Sequence, residues 1–94
     1  MKFKYRLPED WIRKTERMEE FANGGMQVTV RLKDGREVCG VLLSDAKYII
    51  ATRGSKDLPF LITEIDDIFQ SDDDKRPRQR GGWDFWDDWP DPKR

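Results

Sequence analysis

Tyr48 is the side chain in this sequence best placed to meet a ligand, and it offers a flat ring rather than a reactive atom. It opens the run Tyr48-Ile49-Ile50-Ala51-Thr52, directly after Lys47, and Arg53 and Lys56 follow in the next turn. A ring beside an ammonium group can stack a nucleobase while the charge attracts its phosphate, with stacking worth roughly 1–3 kcal/mol per base. A second reading stays open. An aromatic at a strand start also packs on its neighbours, and Arg53 and Lys56 also read as solvated loop charges.

Covalent and metal chemistry have little to work with. The sequence has no His and a single Cys, Cys39, inside an expected strand. No Ser has a plausible base, and no Gly-rich phosphate loop or metal-spaced cluster occurs. The expectation is a non-enzymatic protein without a cofactor. Asp72-Asp73-Asp74 could hold a divalent cation, but the composition around it reads as a solvated linker. Cys39 reads as a small core residue, the usual fate of a free Cys.

The 94 residues make one small domain. Without helix and tail, the β-rich part is roughly 45 residues, marginal as an isolated core. One Cys excludes an intrachain disulfide, so oligomerisation or packing by helix and tail must supply the missing stability. Charge is high but balanced, 18 basic against 19 acidic residues, and the two signs are equal over 1–70. That weighs against gripping nucleic acid by bulk charge and leaves room for a local basic patch. No apolar run reaches the roughly 20 residues of a membrane span. A lone Cys and no signal sequence point to the cytoplasm.

The elements that position Tyr48 follow from the pattern. Residues 1–7 alternate basic and aromatic side chains and read as a short strand or arm. Pro8-Glu9-Asp10 starts a helix, with acids at the positive end of its dipole. Trp11, Thr15, Met18 and Ala22 share a stripe, with Ile12 and Phe21 flanking it, and Asn23-Gly24-Gly25 ends the helix. Val28, Val30 and Leu32 then face one side of a strand, with Thr29, Arg31 and Lys33 on the other. Asp34-Gly35 is a hairpin turn. The next strand, near Glu37 to Ser44, is apolar on both faces and so covered on both, by the helix or a neighbouring subunit. Gly40 inside it marks a sharp bend or a close backbone approach. After Tyr48–Thr52 and a turn, Leu61-Ile62 and Ile68-Phe69 read as two short strands joined near Glu64. The fold class is α+β, mainly β: a helix followed by a five-stranded bent antiparallel SH3-like barrel over 1–70. A charged linker and Trp-rich tail occupy 71–94.

The order of Leu32-Lys33-Asp34-Gly35-Arg36, Gly40, an Asp-containing loop and an aromatic strand start resembles the Sm-like family, including its Hfq branch. The resemblance covers about Pro8 to Phe69. It implies a bent barrel of Sm type that assembles into a homo-oligomeric ring through its fourth and fifth strands and binds single-stranded RNA. Gly40 matches the family's strand-bending glycine, Tyr48 its base-facing position, and Asp45 its loop aspartate, one residue early. The candidate RNA contacts are Tyr48 and Asp45, matched by the resemblance, with Lys47 and Arg53 added from their charge beside that ring. Ile50 stands where many members place a base-contacting Asn. Ile62-Thr63-Glu64 stands where RNA-binding members carry Arg-Gly or Lys-His. A second class therefore stays open: a protein-interaction or structural module that kept the scaffold and lost RNA binding.

The tail carries Trp83, Phe85, Trp86 and Trp89 among Asp84, Asp87 and Asp88. So much aromatic surface is expected to dock on a barrel, its own or a neighbour's. It would act either as a clasp on a side surface or as a nucleic-acid mimic over Lys47 and Arg53.

Overall fold

A computed structural model describes residues 3–79 and 81–86. The expected helix forms, but as a shorter α1, Glu9–Thr15. Its end is set by Thr15. That hydroxyl is buried, with the Ala46 carbonyl as its nearest acceptor at 2.7 Å and the carbonyls of Trp11 and Ile12 at 3.1 and 3.3 Å. Side-chain bonding back to the preceding turn competes with helix propagation. The chain then turns, and Phe21 donates its N–H to the Gly25 carbonyl. Phe21 thereby leaves the α1 stripe for a different apolar cluster.

The strands are β1 (Tyr5–Arg6), β2 (Gly25–Leu32), β3 (Glu37–Ser44), β4 (Tyr48–Thr52), β5 (Ile65–Phe69) and β6 (Asp84–Phe85). They form a curled antiparallel half-barrel in the order β1-β4-β3-β2-β5, with β6 also paired to β4. Val28, Val30 and Leu32 reach the main core as expected, with Val41, Leu43 and Ile49 opposite. Thr29 takes the opposite face, as expected, and is buried there beside Gln27.

Two further expectations change. Val28 pairs Val41, whereas Val30 pairs Val38, so β3 carries an extra residue opposite Thr29. That bulge turns Cys39 outward, and the thiol is exposed rather than packed in a core. Leu61-Ile62 is no strand. Pro59 cannot donate to a ladder, and Ile62–Glu64 closes as a single 3₁₀ turn with the Glu64 carboxylate accepting from Leu61 N–H at 2.8 Å. The place beside β4 is taken by the two chain ends. Tyr5 pairs Ile49, and Phe85 pairs Ala51.

The double-faced apolar strand has two covers. Helix α1 and Leu7 close the main core on one side. On the other, Leu42, Ile50 and Ala51 lie under Phe3, Phe21, Tyr48 and Trp83. The second cover thus comes from the N-terminal arm, the post-helical turn and the tail.

Lys14 of α1 reaches across to β5 and donates to the Asp67 carboxylate, which also accepts from Ile68 N–H at 2.9 Å. The bond from Lys14 holds the Asp67 carboxyl below its ordinary pKa, helped by Ile68 N–H and the charge of Arg31. The Arg6 bond to Glu9, the Arg36 N–H to Asp34 and the Tyr5 hydroxyl to Asp57 shift those carboxyls the same way. A carboxyl depressed by folding contributes stability that is complete above its unfolded pKa, about 3.9, and lost as pH falls through the folded value. Unfolding free energy should therefore be flat from about pH 7 to about pH 5 and decline below about pH 4. In urea melts, Asp67→Asn should reduce that acid decline, by no more than about 1 kcal/mol for so exposed a pair. An unchanged acid limb would refute the assignment.

Candidate binding surface along the β4 edge

The four expected contact residues fall in two places. Asp45 and Ala46 form the β3–β4 hairpin tip with φ of 54° and 60°, the doubly left-handed turn that matches strand twist. The Asp45 N–H donates to the Gly24 carbonyl at 3.0 Å. Lys47 is exposed, and its carbonyl accepts from Leu7 N–H at 2.7 Å. Tyr48 is half-buried, with Phe3 stacked on its ring at 4.4 Å and 20°. Arg53 lies at the far end of β4, roughly 16 Å along the strand at ~3.3 Å per residue. The fold therefore brings Asp45, Lys47 and Tyr48 together and separates Arg53 from them.

Arg53 is built into its position from below. Gly40 has φ of 69°, and a Cβ there would sit 2.8 Å from Arg53 Cδ. Only a residue without a side chain lets the Arg53 stem cross the β3 bulge. Where a sharp bend or a close backbone approach is expected, at Gly40, what lies against the chain is the Arg53 side chain, next to the β3 bulge. The guanidinium then donates to Gln27 Oε1 at 3.2 Å, to the Gln79 carbonyl at 2.6 Å and to the Gly81 carbonyl. Its carbon lies 4.5 Å from the centre of the Trp83 ring, a cation–π contact.

Gln27 connects Arg53 to a buried carboxylate. Its Nε2 donates to Asp74 at 2.8 Å, while Thr29 Oγ1 and Ser71 N–H reach the other oxygen, each at 2.9 Å. Asp74 is only 2% exposed. It belongs to α2, Asp72–Lys75, where Ser71 caps the first turn and Asp74 bonds back to the Ser71 N–H. Asp72-Asp73-Asp74 is thus no solvated run: Asp74 points inward while Asp72 and Asp73 are exposed. Among the described residues, no cluster of acidic, Cys or His side chains forms a metal site. A cleft of about 570 Å³ opens between this network and the bulge, with Gln27, Thr29, Gly40, Arg53 and Asp74 in its wall and Cys39 at its lining.

The tail docks on its own barrel. Trp83 stacks on Phe21 at 5.6 Å and 24°. Trp86 donates its backbone N–H to the Ile50 carbonyl at 3.1 Å and its indole N–H to the Ile49 carbonyl at 3.0 Å. Its ring meets Tyr5 edge-on at 5.8 Å. Phe85 stays 46% exposed, while Trp83 and Trp86 are partly buried against the core. Trp89, Asp87 and Asp88 lie outside the described residues. Clasp and mimic are therefore not alternatives in space: the tail covers a strand edge and Arg53 together, away from Lys47.

The residues that build this surface and were missed from the sequence are Phe21, Gln27, Thr29 and Asp74. One signal was present for the last: Ser71-x-x-Asp74 has the spacing of a capping box. Nothing in the sequence pairs Gln27 with it. No protein-family model matches the chain, and no curated protein or solved structure shows significant similarity to it.

Two substitutions test the construction. Gly40→Ala should lower stability by about 1–3 kcal/mol, because the new methyl displaces the Arg53 stem. Asp74→Ala should cost about 1–3 kcal/mol for each buried donor it strands, Gln27 Nε2 and Thr29 Oγ1. Chemical denaturation reads both, and a neutral result for either removes that contact from the account.

Proposed function

We propose that this chain is a non-catalytic protein-interaction or structural module on an Sm-like barrel that does not use Tyr48 and Arg53 to hold RNA. One observation carries this reading: the chain's own ends occupy both groups. Phe3 stacks on the Tyr48 ring that would face a base. Trp83 and the carbonyls of Gln79 and Gly81 take the Arg53 guanidinium that would meet a phosphate. The equal charge balance over 1–70 adds no general attraction for a polyanion. The same expectations place the module in the cytoplasm.

A second reading keeps the RNA-binding homo-oligomeric ring. It is favoured by β5, which ends the strand order with one edge unpaired among the described residues, and by Leu61, four residues before it in the chain, at 67% exposure. An edge strand with an exposed apolar neighbour invites pairing with another chain. Lys47, exposed beside Tyr48, would then supply the phosphate contact.

Fluorescence anisotropy with U-rich and A-rich oligonucleotides over a salt series separates the two. The interaction-module reading expects no saturable binding even at low salt. Binding that weakens with salt and disappears in Tyr48→Ala would overturn it and establish the RNA reading. Light scattering tests the ring: a monodisperse species near 11.2 kDa contradicts it.

A further inference from the structure

We propose that the β4 edge is a peptide-binding groove, filled in cis by Trp83–Trp86, whose partner is an acidic, aromatic, extended segment of another protein. This rests on the interaction-module reading and names the class of partner.

The receptor half is built from residues that precede the docked rings. Gln27 holds Arg53, Asp74 holds Gln27, and Ser71 and Thr29 hold Asp74. Gly40 seats the Arg53 stem from below. Phe21 is fixed on the Leu42, Ile50 and Ala51 cluster. All of these residues precede Gly81-Gly82 in the chain. Gly82 takes φ of 80°, a left-handed link between anchored α2 and the docked rings.

What the groove recognises is generic in backbone and selective in side chain. Arg53 bonds two main-chain carbonyls, which any extended segment offers. Among the described residues, the β4 edge pairs with two tail residues, Asp84 and Phe85, and then receives Trp86 N–H. Strand addition of this kind draws affinity from the ladder and specificity from alternating pockets. Here the pockets are the Phe21–Arg53 seat for one ring and the Tyr5–Ile49 site for another, three residues on. The cation at Arg53 favours an acidic ligand.

The cis occupant is an imperfect ligand. Trp83 Nε1 is buried and finds no acceptor among the described residues, whereas Trp86 Nε1 is paired. A buried donor left unpaired weakens the docking that buries it. Phe85, at 46% exposure, adds little burial. The tail therefore holds the groove mainly through local concentration, which for a short tether is on the order of millimolar.

The probe is a labelled peptide, Gly-Gly-Trp-Asp-Phe-Trp-Asp-Asp-Trp-Pro, the sequence of residues 81–90. It is titrated into the intact chain and into full-length W83A/W86A, with thermal melts to confirm folding. The double variant should bind at least tenfold tighter than wild type. Adding R53A should weaken it at least tenfold, and a peptide with its aromatics replaced by Ala should not bind. If W83A/W86A fails to fold, wild type with millimolar peptide is read by amide NMR, and shifts centred on Ala51 and Thr52 are expected. Equal or absent binding in a folded double variant overturns the groove, as do NMR titrations without those shifts. So does displacement of the peptide by single-stranded RNA, or a wild-type dimer formed by exchanged tails. RNA binding at Tyr48 with the groove results intact would instead remove only the interaction-module reading.

Discussion

The Asp74 carboxylate, buried to 2% exposure, constrains everything on the outer face of the sheet. A buried carboxylate is tolerated only with donors on its oxygens. Here β2 supplies two, from Gln27 and Thr29, and the α2 cap supplies a third. That requirement accounts for polar side chains buried in a strand that is otherwise apolar. It also orients Gln27, whose amide is left with its oxygen toward Arg53. The position of the guanidinium therefore depends on a residue far away in sequence, after the last core strand.

Arg53 could not be exchanged for Lys without changing this surface. Its planar fork meets Gln27, Gln79 and Gly81 while its face lies by Trp83. An ammonium has the charge but neither the fork nor the flat face. Gly40 belongs to the same requirement, because the Arg53 stem occupies the volume a Cβ would take. The β3 bulge that creates the crossing also turns Cys39 outward, so one extra residue has two consequences.

Much of the framework was legible. Alternation in β2, Asp34-Gly35, the run Tyr48–Thr52 and Gly40 are local signals, and each forms as its chemistry dictates. Local signals fail where a distant partner decides. Thr15 ends α1 because its hydroxyl reaches Ala46. Leu61-Ile62 stays out of the sheet because the chain ends already pair with β4. Cys39 looked like core because strand parity was counted through a bulge. Asp74 was hidden in an acidic run whose composition is that of a linker. At the surface itself, Tyr48 and Arg53 were singled out for a base and a phosphate, and each meets a ring of this chain instead: Phe3 and Trp83, which lie far apart in sequence.

The small core explains why both ends come to β4. With no disulfide to close a chain this short, a few large rings supply burial that the strands alone lack. Phe3, Phe21 and Trp83 cover Leu42, Ile50 and Ala51, and Trp86 packs against the main core. The arm and the tail contribute strands of two residues each, enough to pair an edge and too short to extend the sheet further. An edge covered this way is protected from indiscriminate pairing. The part of the Arg53 network that runs through Gln27, Thr29, Ser71 and Asp74 lies before Gly81, whereas the Gly81 carbonyl and the Trp83 ring complete it from the tail. The tail rings therefore do two things at once: they occupy the β4 edge and they add burial to a small core.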